Sequence, residues 1–195
     1  MKIIDARGET CPVPVIMMKK ALKEGAKENI REIVDNELSK QNLEKMLAEM
    51  GLPFSSYAEN GDFVVQVNLE GTDAEVSARA ETPKQDSVLV ISSDTMGRGD
   101  DELGRTLVKN FLYALNESDS LPATILLYNA GVKLASENPD TVADLKKLEE
   151  KGVKIYACGL CLNYFGLGEK LQVGTVTNMY AIVQMKLSAA KIIQL

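Results

Sequence analysis

The sequence predicts an α/β protein with two domains, an N-terminal two-layer sandwich of order βαβαββ and a C-terminal parallel sheet in an α/β/α arrangement. Apolar residues recur with helical spacing in some segments and form short continuous runs in others. An Asn60-Gly61 pair separates two of the strand-like runs. A stretch without periodicity, rich in Ala, Glu and Thr, divides the chain. We therefore place an N-terminal domain at 1–71, a linker at 72–85 and a C-terminal domain at 86–195.

The N-terminal domain alternates strands with helices and ends in a hairpin. Short runs of strand-forming residues predict four strands, at Lys2–Ala6, Glu32–Asp35, Pro53–Ala58 and Asp62–Leu69. Pro12 and Pro14 open the first helix, which ends near Glu24, because the fixed φ of proline suits a helix start. Ser39 is expected to cap the second helix. The buried stripe of that helix is expected to hold Leu43, Met46, Leu47 and Met50.

Five apolar runs in the C-terminal domain predict strands, and the helices between them predict a parallel sheet. The runs are Ser87–Ser92, Thr124–Tyr128, Lys154–Ala157, Gly174–Thr177 and Lys191–Leu195. Helices are predicted at Thr141–Lys151 and Met179–Ala190. An earlier helix is expected to bury Leu103, Leu107, Phe111 and Leu115. Because strands and helices alternate, we expect a doubly wound domain.

Composition narrows the possible functions. The net charge of −6 is spread along the chain without a basic stripe, so nucleic acid is not an expected partner. The sequence has no apolar run near the roughly 20 residues of a membrane span and no secretory signal, so we expect a cytoplasmic protein without membrane contact. Histidine is absent, which removes the commonest general base and metal ligand. Three cysteines in a reducing compartment favour thiol chemistry.

Cys11 lies where a turn meets the start of the first helix. Unpaired N–H groups at a helix start favour an anion, so this position stabilises a thiolate, and Arg7 is a candidate cation beside it. Pro12 and Pro14 remove two first-turn donors, which predicts a modest lowering of the pKa and a rigidly held sulfur. The alternative is a half-buried cysteine that only caps the helix.

A second thiol site, Cys158 and Cys161, follows a predicted strand. This spacing serves a disulfide, a metal, or a nucleophile with a resolving thiol. Zinc needs about four ligands, which this chain without histidine supplies poorly, so neither a metal nor another cofactor is predicted. Structural thiols at a strand end are the remaining alternative.

Four segments are expected to meet beyond the carboxyl ends of the parallel strands, where ligands gather. Each directly follows an apolar run of the C-terminal domain. Beside the two cysteines, they supply the candidate binding residues Asp94, Gly97, Asn129, Gly131 and Asn178. Phosphate is not expected at Gly97-Arg98-Gly99, because the three acidic residues that follow would repel an anion at the helix start.

The residues around Cys11 resemble the signature of the TusA (also called SirA-like) family, with the pattern Asp5-x-Arg7-Gly8-x-x-Cys11-Pro12-x-Pro14. Members of that family are small βαβαββ sulfur carriers whose motif cysteine receives sulfur from a cysteine desulfurase. The resemblance covers residues 1 to about 70 and implies that Cys11 is the carrier cysteine. We take Arg7, Pro12 and Pro14 as binding residues around it.

The C-terminal domain resembles the DsrE/DsrF-like family, parallel-sheet proteins in which a cysteine near a strand end handles sulfur, often within oligomers. The segments that carry this resemblance are Asn-x-Gly-Val-Lys-Leu, Cys-Gly-x-Cys-Leu and Val-Thr-Asn-Met-Tyr. Together with the N-terminal motif, they resemble the YedF family, which is associated with selenium metabolism.

These resemblances imply a cytosolic, sulfurtransferase-like carrier of persulfide sulfur or selenium. Cys11 would be the acceptor thiolate, and the Cys158/Cys161 pair a second transfer or reducing site. The implied partners are a donor such as a cysteine desulfurase and an acceptor protein, and self-association through the C-terminal domain is allowed. A hypothesis of a different class is a redox-sensitive regulatory or scaffold module that transfers no sulfur.

Overall fold

The computed structural model describes residues 1–10, 12–24, 28–69 and 86–195. The chain divides into two compact units, Met1–Ala80 and Glu81–Leu195. Cys11 and the predicted linker at 72–85 lie outside the described residues. Within the described ranges, no helix is both long and apolar enough to cross a bilayer.

The N-terminal unit has the predicted order βαβαββ. Its elements are β1 (Lys2–Asp5), α1 (Val13–Lys23), β2 (Ile30–Val34), α2 (Glu37–Glu49), β3 (Phe54–Glu59) and β4 (Asp62–Val67). The sheet order is β1-β2-β4-β3, in which β1 is parallel to β2 and the other neighbours are antiparallel. Both helices pack on one face of the sheet, where Met18, Leu43 and Leu47 are fully buried. The unit is therefore a two-layer sandwich.

Short-range chemistry explains both the hairpin between β3 and β4 and the start of α2. Asn60 and Gly61 have φ values of 54° and 93°, the positive values that a two-residue type I′ turn needs. The predicted cap was wrong: Asn36 caps α2, because its Oδ1 accepts a hydrogen bond from the N–H of Ser39 at 2.8 Å. Met50, expected on the buried stripe, follows the last turn of α2 and is exposed.

Strand β2 carries an acidic side chain into the core. Glu32 is in register with Ile4 and Val65, on the face that the helices cover. It is fully buried, and neither carboxyl oxygen has a hydrogen-bond partner among the described residues. Burial raises the pKa of Glu32 to about 8, because apolar surroundings penalise the charged form.

The C-terminal unit is an all-parallel five-stranded sheet of order β8-β7-β6-β5-β9. Its strands are β5 (Ser87–Ile91), β6 (Thr124–Leu127), β7 (Lys154–Cys158), β8 (Thr175–Thr177) and β9 (Lys191–Gln194). Its helices are α3 (Asp101–Asn116), α4 (Pro139–Glu150), α5 (Gly159–Tyr164) and α6 (Met179–Ser188). Two 3₁₀ helices, Asn129–Ala135 and Gly168–Lys170, and the short α5 were not predicted.

Alternate residues of the central strands face two different layers. Leu89 of β5 points to the core shared with α3 and α4, where Leu112 and Leu145 are fully buried. Val90 points the other way, into a smaller core with Ile182 of α6. Because β6, β7 and β8 lie on one side of β5 and β9 on the other, α6 crosses the opposite face of the sheet. The predicted doubly wound fold is confirmed.

The buried face of α3 differs from the predicted one. The buried residues are Gly104, Val108, Leu112 and Asn116. Of the predicted row, Phe111 and Leu115 reach the core, but Leu103 and Leu107 are 57% and 40% exposed. Gly104 explains the difference, because a Cβ there would lie 2.8 Å from a side chain of the loop after β5. The sequence prediction counted large apolar residues, so it missed a buried face of α3 whose first residue is a glycine.

Candidate functional site

Arg7 lies in the loop between β1 and α1, four residues before Cys11, and is bound by carboxylates. Its Nε and Nη2 donate to the two carboxyl oxygens of Asp5 at 2.9 and 2.6 Å, and Nη1 lies 3.4 Å from Asp62 Oδ2. These hydrogen bonds lower the pKa of Asp5 to about 2. The predicted cation therefore shares its charge with two acids. Cys11 itself is outside the described residues.

The same loop is tied to the end of β2. Gly8 has a φ of 78°, which favours glycine, and its N–H donates to Asp35 Oδ2 at 2.7 Å. Hydrogen bonds from Asn36 and from Gly8 lower the pKa of Asp35. The segment that leads to Cys11 is thus fixed at both of these points before α1 begins.

Two prolines shape the start of α1. Pro12 is the capping residue and Pro14 the second helical residue, so neither supplies a backbone donor. The N–H of Val13 donates to the carbonyl of Thr10 at 2.9 Å, and that of Ile16 donates to the carbonyl of Pro12 at 3.2 Å. Two of the N–H groups at this helix start therefore already have backbone partners. Activation of Cys11 by the helix stays a prediction.

Cys158 and Cys161 lie at the start of α5 and differ in access. Cys158 is the last residue of β7 and caps α5 without a side-chain capping bond. It is 1% exposed, whereas Cys161 is partly exposed, and both are free thiols. Solvent therefore reaches the second cysteine of the motif and hardly reaches the first.

Burial and two neighbouring groups, the Cys158 thiol and a backbone N–H, act on the pKa of Cys161. Burial and a hydrogen bond with the Cys158 thiol raise the pKa of Cys161, and a backbone N–H from Asn129, 3.1 Å from Sγ, opposes them. The net direction is upward, so Cys161 holds its proton at neutral pH. The absence of histidine suggested that backbone dipoles or cations would activate the thiols. At Cys161 one backbone N–H lowers the pKa, but burial raises it by more.

The loops at the carboxyl edge of the sheet contact one another. Lys133 Nζ lies 3.6 Å from Asp94 Oδ2 and 4.9 Å from the centroid of the Phe165 ring. It therefore connects the loops that follow β5, β6 and α5. Lys133 was not a candidate in the sequence, although it belongs to the Asn-x-Gly-Val-Lys-Leu segment. The first residue of α5, Gly159, lies close to β8, because a Cβ on this glycine would be 3.0 Å from Val176 Cγ1.

Three predicted binding residues have a structural explanation. A Cβ on Gly131 would lie 2.1 Å from the carbonyl oxygen of Ile91, so only glycine fits there. Gly97 has a φ of 82° in the loop after β5. Asn178 caps α6, because its Oδ1 accepts from the N–H of Ala181 at 3.0 Å. A role for these residues in binding a ligand stays a prediction.

Other features of the C-terminal unit bear on ligands. Asp100 caps α3 by accepting from the N–H of Leu103 at 2.8 Å, so a carboxylate occupies the helix start that follows the glycine-rich loop. A cavity of about 250 Å³ lies at the opposite edge of the sheet, beside the amino ends of β7 and β8. Among the residues that the structure describes, no three Cys, Asp or Glu side chains are grouped to hold a metal ion.

Comparison with known proteins assigns both units. Residues 90–195 match the model of the DsrE/DsrF-like family. The chain belongs to that family. Its residues 2–68 match the family model described as Sulfurtransferase TusA. A SirA-like protein from Desulfitobacterium hafniense is 40% identical to this chain, covers 36% of it with 99% of its own length, and superposes with a TM-score of 0.33. The chain thus joins a TusA-like unit to a DsrE-like unit, two families of the sulfur-relay type.

Two further proteins are similar over longer stretches of this DsrE/DsrF-like chain. The ychN protein from E. coli is 18% identical, covering 57% of this chain and 99% of its own, with a TM-score of 0.44. An uncharacterized protein from Methanocaldococcus jannaschii is 26% identical over 179 residues, which is 87% of this chain. This chain spans 63% of the length of that curated relative.

Proposed function

We propose that the protein carries persulfide sulfur, or its selenium equivalent, on Cys11 and passes it on, with Cys158 and Cys161 as a second transfer or reducing site. The observation that supports this most strongly is the pairing, in one chain, of a TusA-like unit with a DsrE-like unit that holds two neighbouring free thiols. The fixed loop before Cys11 fits a sulfur that must be presented to another protein.

The chemistry needs no histidine. The Cys11 thiolate attacks the outer sulfur of a donor persulfide, the donor leaves as a thiolate, and Cys11 becomes a persulfide. Once the attacking thiol is ionised, no separate base is required. This fits a chain without histidine. The partners in this proposal are a donor such as a cysteine desulfurase and an acceptor protein, both in the cytoplasm, where thiols stay reduced.

We also propose that a second copy of the chain covers the outer face of α6. The helix is apolar on almost every side and carries one charged residue, Lys186. Such a helix is normally buried, yet Tyr180 and Leu187 are 75% and 78% exposed. They lie with Met179 and Val183 in one stripe at helical spacing, which we call the α6 stripe. Its exposed apolar area is roughly 500 Å², near the upper end of the range for the largest apolar patch on a monomeric protein.

These roughly 500 Å² would form the apolar part of an interface to which each partner of standard size gives ~800 Å² in total. Because the α6 stripe has no charged residue to match a charged partner, pairing it with the same stripe of a second copy suits it best.

The carrier proposal is tested by mass spectrometry of the full chain after incubation with a cysteine desulfurase and cysteine. We expect a gain of about 32 Da on Cys11, or about 80 Da when the donor supplies selenium. Cys11→Ser should lose the adduct, while Cys158→Ser should keep it on Cys11. If Cys11 gains no mass while the desulfurase loads a known acceptor in the same tube, the proposal is wrong.

The two free thiols Cys158 and Cys161, which pack against the same small core, also favour a second candidate function, a redox-sensitive regulatory or scaffold module. In that case, mild oxidation would join the two cysteines, and no donor would add sulfur to Cys11. The mass spectrum distinguishes the two functions, since only the carrier requires the adduct on Cys11.

A further inference from the structure

The structure assigns different roles to the two cysteines of the C-terminal unit. We propose that Cys161 is the receiving thiol and Cys158 the resolving thiol, so that sulfur delivered to Cys161 is released as sulfide and the pair is left as a disulfide. This inference rests on the proposed function, because it states what the second thiol site does with the sulfur it receives.

Access decides which thiol receives. Cys158 is 1% exposed at the end of β7 and packs in the small core with Ile182, while Cys161 is partly exposed. The neighbours of Cys161 on α5, Leu160 and Tyr164, are among the most exposed apolar side chains described. A persulfide on a small molecule or on another protein therefore meets Cys161 first.

Geometry decides which thiol resolves. Cys158 caps α5 and Cys161 is its third residue. Both cysteines pack against the same small core around Ile182. Side chains three residues apart on a helix have Cβ atoms about 5–6 Å apart, whereas the Cβ atoms of a disulfide lie about 3.5–4.5 Å apart. A disulfide between them therefore requires the start of α5 to shift by about 1–2 Å, and the C-terminal unit contains no other cysteine that could resolve the persulfide.

The first step forms a persulfide on Cys161. The ionised fraction of Cys161 attacks the outer sulfur of a donor R–S–SH, the S–S bond of the donor breaks, and R–S⁻ leaves and takes up the proton that Cys161 has released to water. The backbone N–H of Asn129, 3.1 Å from Sγ, faces the negative charge that the attacking sulfur carries. Asn129 is therefore a positioning residue for this step.

The second step releases the sulfur. The Cys158 thiolate attacks the Sγ atom of Cys161, the S–S bond of the persulfide breaks, and HS⁻ leaves with the electron pair. The outer sulfur is reduced to sulfide, and the two cysteines are oxidised to a disulfide, so no external oxidant takes part. A dithiol reductant must reduce the disulfide before the next cycle.

The test uses the full chain with Cys11→Ser and glutathione persulfide as the donor, so that only the pair reacts. We expect one equivalent of sulfide per chain and a loss of about 2 Da as the disulfide forms. Adding Cys158→Ser should stop sulfide release and leave Cys161 about 32 Da heavier. Adding Cys161→Ser instead should abolish both the adduct and the release. Cys158→Ala serves as a second variant, since serine places a hydroxyl in a buried position.

The opposite result is equally clear. If the chain with Cys161→Ser gains sulfur on Cys158, or if the Cys158 variants release sulfide as fast as their parent, the assignment is wrong. Alkylation of the unmutated chain with iodoacetamide adds a test without mutation, because Cys161 should be labelled well before Cys158. If Cys11 takes sulfur from a desulfurase but the pair takes none from glutathione persulfide, this inference fails while the carrier proposal stands.

Discussion

The backbone N–H of Asn129 donates a hydrogen bond to Sγ of Cys161 across 3.1 Å. Asn129 begins the 3₁₀ helix after β6 with a φ of 49°, and Cys161 lies on α5 after β7, so the bond joins loops from neighbouring strands. It opposes burial and the Cys158 thiol, which together raise the pKa of Cys161. The accessible thiol of the pair is therefore kept protonated and held in place.

Labelling of Cys161 should depend on pH accordingly. In the chain with Cys11→Ser, iodoacetamide should alkylate Cys161 more slowly at pH 7 than it alkylates a free-cysteine peptide, and the rate should rise at alkaline pH. Cys158→Ala removes one cause of the raised pKa, so labelling at pH 7 should become severalfold faster. Peptide mass spectrometry measures both rates. Labelling of the parent as fast as the peptide would contradict a raised pKa.

Cys11 should behave in the opposite way. Its position at a helix start predicts faster alkylation at pH 7 than the same peptide shows, and Arg7→Gln should slow it. The same variant should raise the pKa of Asp5 from about 2 toward its ordinary value of 3.8, which a carboxyl NMR titration measures. Arg98→Gln, at an exposed arginine of the C-terminal unit, is the control for lost charge. Equal slowing by both variants would argue against a local role for Arg7.

Glu32 should make the stability of the N-terminal unit fall as pH rises. Its pKa is about 8 when folded and near 4.5 ordinarily, so between these values the unfolded chain ionises while the folded unit keeps the proton. The free energy of unfolding should therefore be highest below pH 4.5 and decrease by about 1.4 kcal/mol per pH unit up to pH 8. Urea unfolding followed by circular dichroism measures this slope.

Two variants separate charge from packing at Glu32. Glu32→Met removes the ionisable group and fills the site with apolar atoms, so it should be more stable than the parent at pH 8 by about 3 kcal/mol or more. Glu32→Gln should also lose the extra pH dependence, and its gain in the free energy of unfolding at pH 8 should be smaller than that of Glu32→Met. An unchanged slope in both variants would show that Glu32 is not buried as a neutral acid.

Gly131 should tolerate no side chain. Gly131→Ala places a Cβ 2.1 Å from the carbonyl oxygen of Ile91, so the 3₁₀ helix that carries Asn129 must shift. We expect a loss of about 3 kcal/mol in urea unfolding and slower alkylation of Cys161, because the N–H of Asn129 that lowers the pKa of this thiol moves away. Gly168→Ala is the matched control, since its Cβ would make an ordinary contact at 3.5 Å and should change stability by less than about 0.5 kcal/mol. Similar losses in the two variants would remove the steric explanation.

The α6 stripe should hold two copies together. Light scattering of the parent should give a mass that is a multiple of the 21.3 kDa chain, and Leu187→Glu or Tyr180→Glu should reduce it to the monomer. Leu103→Glu, at an exposed leucine of α3, should leave the mass unchanged. A parent that is monomeric at tens of micromolar would exclude a second copy as the occupant of this face.

Local residue patterns predicted the order of all elements in the N-terminal unit, and the five strands of the C-terminal unit with the three longer helices between them. The Asn60-Gly61 turn, the prolines at the start of α1 and the short apolar runs of the parallel sheet act within a few residues of their own position, so local chemistry is sufficient to predict them. The motif around Cys11 and the spacing of Cys158 and Cys161 were likewise visible as residue patterns.

The way in which those residues are used depends on contacts between segments that lie far apart in the chain. Whether Cys158 or Cys161 meets solvent depends on which layer of the sheet each side chain faces, and the N–H that contacts Cys161 comes from a residue 32 positions away. The buried row of α3 depends on how closely Gly104 lets the helix approach a loop, and the raised pKa of Glu32 depends on a strand that starts two residues earlier than predicted. These properties arise from packing between distant segments, which a pattern along one segment does not contain.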